Sequence, residues 1–236
     1  HFSKELKTLD HKVLTIFSIS IILFTISWYF SNPKYFNEIF TFHKSLDLIL
    51  EDLASYSYWF ILDFILFLVI PFLIIKIHFK ENIKNYGLVI GNKNIGFSLT
   101  ALSILVFLPI IYVISTSYNF TQYFPLMQSA KDDLIIFIIY ELLLLLFLFS
   151  WEFIFRGFIL FGLEKRFGLY AIFIQMIPFV ILHNGKPFLE TFASIFGGLF
   201  LGYLALRTRS ILYGFLIHAF ILLTLDMIAF LQFFAH

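Results

Sequence analysis

The chain has 236 residues, of which 61% are apolar, 21% aromatic and only 13% charged. Soluble domains carry about 45–50% apolar and about 25% charged residues, so a surface of this kind needs lipid as its solvent. The absence of Cys excludes disulfides, thiolate metal sites and Cys nucleophiles, and a net charge of +1 excludes a basic nucleic-acid surface.

A helix crosses the hydrocarbon with about 20 apolar residues. Seven spans are predicted, over 13–31, 57–79, 97–117, 132–163, 168–186, 188–206 and 210–233. The first is as long as a span and has no small-residue cleavage site after it, which predicts a retained helix and not a signal peptide. Residues 31–56 are partly amphipathic and are expected on the membrane surface. The fourth span is too long to stand upright, so it tilts or protrudes. Asn184-Gly185-Lys186-Pro187 marks a tight turn before the sixth span. Within that span, Gly198-xxx-Gly202 has the small-xxx-small spacing of close helix packing.

The expected fold is an all-α, polytopic transmembrane bundle of about seven to eight helices. It forms one membrane domain overall, with N-terminal helices and an amphipathic segment over 1–131 and core helices that carry the motifs over 132–236. Eleven of the 16 Lys and Arg residues fall on one side of these spans, four on the other, and Arg156 inside a span. The positive-inside bias predicts a cytoplasmic N-terminus and an external C-terminus. Heavy Phe, Ile, Lys and Asn usage points to a prokaryotic inner or plasma membrane.

Charges in hydrocarbon cost at least about 2.5–3.5 kcal/mol each, so each needs a partner or a function. The candidates are Asp63, Glu141, Glu152, Arg156, His183, Glu190, His218 and Asp226. At 1.5 Å per residue from the expected cytoplasmic ends, Glu152 lies about 16 Å deep, His183 about 22, Glu190 about 25, His218 about 12 and Asp226 about 24 Å. Four consecutive helices thus carry ionisable groups in one middle band. Arg156 follows Glu152 by four residues and shares its helix face. Glu141 falls on that face further out and is expected to be structural or pore-lining. Glu190 is near a helix start, where a carboxylate is also favoured electrostatically. His218 and Asp226 are about 80° apart around one helix and can line neighbouring faces of one cavity. Asp63 lies in no motif.

Two of these clusters resemble a known family. Glu152-Phe-Ile-Phe-Arg156-Gly157 is similar to the Glu-Glu-xxx-Arg-Gly motif of the CAAX-protease and bacteriocin-processing family, and Phe179-Val-Ile-Leu-His183 to its Phe-xxx-His motif. Arg207-Thr-Arg-Ser-Ile followed by His218 resembles the third region. The resemblance covers roughly 132–230 and implies a glutamate-type intramembrane endopeptidase. A glutamate and a histidine would position a water there, and a second histidine with an asparagine would steady the oxyanion. Two positions depart from the pattern: Trp151 replaces the first glutamate, and Leu222 stands where asparagine is expected. Glu190 and Asp226 are the carboxylates available as replacements.

The expected site is therefore Glu152, Arg156, His183, Glu190, His218 and Asp226, with no metal or other cofactor. Neither a His-Glu-xx-His helix nor a Gly-x-Ser-x-Gly turn occurs. The expected partners are a peptide or membrane-anchored protein substrate and the lipid bilayer, with no nucleic acid. The rival readings are a proton-coupled transporter, since Asp, Glu and His chains also build proton relays, and a non-catalytic peptide-binding or immunity protein.

Overall fold

A computed structural model describes residues 10–40, 47–186 and 188–234. Helix α1 (His11–Phe30) is capped by Asp10, whose carboxylate accepts from the Lys12 and Val13 backbone N–H groups. The short α2 (Pro33–Ile39) opens with Asn32 as cap and Pro33 in the first turn, where a missing N–H costs nothing. Helix α3 (Leu48–His78) is continuous but widens to π geometry over Ile65–Val69 and Ile74–His78, on either side of Pro71. Proline cannot donate to the preceding turn and crowds it, and a wider register relieves that crowding.

Helix α4 (Lys93–Ser115) is capped by Asn92, and α5 (Leu134–Phe167) by Asp133. Then come α6 (Tyr170–Ile181), α7 (Phe188–Thr208) and α8 (Leu212–Phe234). Six of these helices, α1, α3, α4, α5, α7 and α8, are long and apolar enough to cross a membrane.

Two expectations change. The span predicted over 168–186 is a helix of only 12 residues, about 18 Å long, because the chain turns after Ile181. The segment predicted to lie on the surface up to residue 56 is already helical from Leu48, as the first part of α3. Its residues 41–46 lie outside the described residues.

Large apolar side chains cover the outside of the bundle, among them Ile21, Leu105, Val113, Ile135 and Phe196. This is the surface expected of an integral membrane protein. The interior is aromatic. Phe24 of α1 stacks on Phe155 of α5 with centroids 5.3 Å apart, and Phe60 of α3 meets Phe147 of α5 at 5.2 Å. The N-terminal helices are thus packed onto α5.

Glycines set the closest crossings. Gly96 of α4 lies under the Tyr213 ring of α8, where a Cβ would come within 2.1 Å. Gly198 and Gly202 of α7 press on Met176, Phe179, Ile172 and Gln175 of α6, the close approach that their spacing predicts. The buried Gln175 amide spans this seam, donating to the Ile172 and Gly198 carbonyls at 3.0 and 2.8 Å.

Candidate active site

Helix α5 leaves ordinary α geometry just after Glu152. Residues Phe153–Phe161 are a π segment, and each of them is buried. Gly157 lets this stretch pass close to the loop before α4: a Cβ there would lie 2.7 Å from the Phe153 ring and 3.1 Å from the Tyr86 carbonyl. Local π geometry re-aims side chains and recurs at functional sites.

Glu152 and Arg156 are both 0% exposed, and Arg156 Nη1 donates to Glu152 Oε1 at 3.1 Å. The same oxygen lies 2.8 Å from His218 Nδ1 of α8, in close contact but outside hydrogen-bond alignment. Glu152 Oε2 is turned towards Gly214, one turn before His218, where a Cβ would lie only 2.5 Å away. Glu152 Oε2 and Arg156 Nε and Nη2 make no hydrogen bond to protein. Buried polar groups are normally satisfied, so unspent donors and acceptors at one point mark a place built for more than packing.

Phe179 of α6 is the hub. The Arg156 guanidinium lies over its ring at 4.2 Å, and its ring is 4.6 Å from His183 and 6.2 Å from His218 in a stacked arrangement. Its carbonyl lies 2.7 Å from His183 Nδ1. A carbonyl only accepts, so Nδ1 carries the proton and Nε2 is left bare. The two histidines are therefore on one side of the bundle, separated by one ring. Trp151 closes the other flank, 6.1 Å from His183 and 6.3 Å from Phe179. It belongs to an aromatic group with Phe67, Phe147 and Phe155, so a carboxylate at this position would meet apolar rings.

The other expected residues lie elsewhere. Glu190 pairs with Lys186, and both side chains are 39% exposed at the α6–α7 turn. Asp226 is buried with Glu141 and Tyr140. The Tyr140 hydroxyl donates to Asp226 Oδ2 at 3.4 Å, and the two carboxyls face each other. An apolar layer containing Leu144, Leu148 and Leu222 packs with Tyr140 below this acid pair. Leu222 thus has a packing role where an amide would need a partner. The expected single band is resolved into two polar layers on α5 and α8, with leucines between them. Asp63 serves α1 and α3: its Oδ2 accepts from Trp59 Nε1 at 2.9 Å, beside Ser27 and Ser31.

Two residues that matter to this geometry carry no charge to announce them. Gly214 admits the Glu152 carboxylate, and only its place one turn from His218 points to it. Tyr140 is one more aromatic among 50 residues of Phe, Trp and Tyr. Among the described residues, no group of three or more His, Asp or Glu side chains is placed to share a metal ion.

Residues 133–224 match the family model described as type II CAAX prenyl endopeptidase Rce1-like. The matched segment contains Glu152, Arg156, His183, Gly214 and His218, and ends just before Asp226. No curated protein and no solved structure matches the chain significantly. The helices that bring Glu152, Arg156, His183 and His218 together thus lie in a segment of this integral membrane protein that matches an Rce1-like domain of the CAAX-protease and bacteriocin-processing family.

Proposed function

We propose that the chain is an intramembrane endopeptidase that hydrolyses a peptide bond in a peptide or in the C-terminal tail of a membrane-associated protein. The observation that carries this reading is a sealed carboxylate, Glu152, held between Arg156 of its own helix and His218 of another, with His183 across the Phe179 ring.

His183 is tethered through Nδ1 to the Phe179 carbonyl and His218 rests its Nδ1 against Glu152, which leaves Nε2 of each for a reacting group. His183, with its proton fixed towards the Phe179 carbonyl, accepts a proton from water at Nε2. The water oxygen bonds to the substrate carbonyl carbon. His218, backed by Glu152, faces the oxyanion. The carbon–nitrogen bond then breaks, and the proton taken from water goes to the leaving amine. One water is consumed, and an acid and an amine result. Arg156 neutralises Glu152 within the bundle.

The test uses protein in lipid nanodiscs and a panel of prenylated and unmodified C-terminal peptides. His183→Ala and His218→Ala are expected to lower cleavage by about 10²–10⁴-fold, the range for general acid–base groups. Helicity and elution volume should not change. Normal cleavage by both variants would sink the proposal.

The buried Glu141–Asp226 pair favours a second reading, proton-linked transport. Proton flux in proteoliposomes that disappears in Glu141→Gln, without any peptide cleavage, would select it.

A further inference from the structure

Away from the histidines, at the end of the bundle richest in Lys and Arg, lies a cavity of about 540 Å³. It is bounded by α1, the loop between α3 and α4, the end of α5 and the α7–α8 turn. Three cations, Lys12, Lys165 and Arg209, and two acids, Glu81 and Glu164, line it. Both acids are already engaged. Glu81 accepts from Lys12 Nζ at 2.8 and 2.9 Å and from the Tyr86 hydroxyl at 2.7 Å. Partial burial opposes the Glu81 charge, but these bonds and the nearby Lys165 outweigh it and hold the carboxyl below the usual carboxylate range.

Glu164 takes both of its bonds from a single nitrogen, Arg209 Nη1, at 2.7 Å each. A guanidinium has five N–H donors, and among the described residues only Arg209 Nη1 is bonded. Its plane is fixed over the Phe161 ring at 4.8 Å. Lys165 is exposed and has no acidic bonding partner among the described residues.

The backbone that presents Arg209 is over-determined. Arg209 adopts a left-handed φ of 58°, costly for a residue with a side chain. Thr208 Oγ1 donates back to the Leu204 carbonyl at 2.7 Å, Ser210 Oγ donates to the Val89 carbonyl, and the Asn92 N–H donates to the Thr208 carbonyl. At Gly91 a Cβ would collide with the Thr208 carbonyl at 1.9 Å. Strain held this firmly in a turn that only had to join two helices needs another reason.

We propose that this cavity binds a phosphate group, with Arg209 and Lys165 as its donors and the headgroup of an anionic phospholipid as its occupant. Arginine's planar fork suits phosphate oxygens, and basic pockets between transmembrane helices at the positively charged end bind such headgroups. Lys80, Lys84, Arg166 and Arg207 belong to the same loop and helix ends that bound the cavity, and add positive charge to that end of the bundle.

The experiment is native mass spectrometry of the full chain released from mixed phosphatidylglycerol and phosphatidylcholine vesicles, with and without inorganic phosphate. The wild type is expected to retain phosphatidylglycerol several-fold over phosphatidylcholine. Lys165→Glu and Arg209→Gln should abolish that preference, and Arg209→Lys should keep part of it. Thermal midpoints report folding, and exposed Lys165 can be changed without touching the core. Displacement of the lipid by millimolar phosphate supports the phosphate site and identifies the free anion as a competing occupant. Undiminished preference in both Lys165→Glu and Arg209→Gln would overturn the assignment, as would equal retention of the two lipids by the wild type.

Discussion

Helices α5 and α8 meet at two buried acidic layers, and the two are built on opposite principles. In the first, Glu152 has cationic and imidazole partners, Arg156 and His218, and a glycine cut away to make room. In the second, Glu141 faces Asp226, which accepts from the Tyr140 hydroxyl. Two facing carboxyls repel unless a proton lies between them. The first layer pairs its carboxylate with side chains whose positions the fold fixes, whereas the second sets two carboxyls against each other. Burial of a carboxylate therefore does not define a reaction site. What distinguishes the first layer is the imidazole pair around Phe179.

The sharpest break in this contrast comes from Glu152→Ala. Removing one partner of a buried ion pair leaves Arg156 uncompensated, with an expected loss of about 3–5 kcal/mol. Joint replacement by Glu152→Leu and Arg156→Met should recover most of that stability in detergent unfolding, but no cleavage. Gly214→Ala comes next. Its Cβ would meet Glu152 Oε2 at 2.5 Å, and overpacking of that kind costs about 1–3 kcal/mol. The displaced carboxylate should also lower kcat with little change in KM.

The second layer should respond weakly. Glu141→Gln or Asp226→Asn keeps a donor between the two side chains, so unfolding free energy should change by no more than about 1 kcal/mol. A loss as large as that of Glu152→Ala would erase the difference between the layers. Smallest of all is Glu190→Gln. The Lys186–Glu190 pair is 39% exposed on both sides, and solvent-screened pairs contribute about 0–1 kcal/mol. Cleavage and thermal midpoint should both stay at wild-type values.

The sequence made the helices legible because long apolar runs have few alternatives in lipid. It also made the Glu152–Arg156 pair legible, since a four-residue spacing survives the change to π geometry. Glu190 was harder to place. Its depth of about 25 Å follows from counting back along α7, and such a count cannot show that the side chain pairs with Lys186 at the exposed α6–α7 turn. Glu141 shares a helix face with Glu152, and Asp226 lies on a face next to that of His218, but periodicity cannot say that leucines fill the turns between them. The departures at Trp151 and Leu222 could be read only as losses of polar groups. In the folded chain each completes an apolar cluster, a property of neighbours that lie far away in sequence. The same holds for Arg209, whose partner Glu164 comes from another helix.

The brevity of α6 reaches beyond the protein itself. A helix of about 18 Å stands where the hydrocarbon is about 30 Å thick. Thinning of the adjoining leaflet is one way in which a bilayer meets such a mismatch, and it would act beside the turn that follows α6 and carries His183. Headgroups and solvent would follow that dimple inwards, wetting the imidazoles from the side and letting a lipid-borne tail slide in laterally, with no channel bored through the bundle.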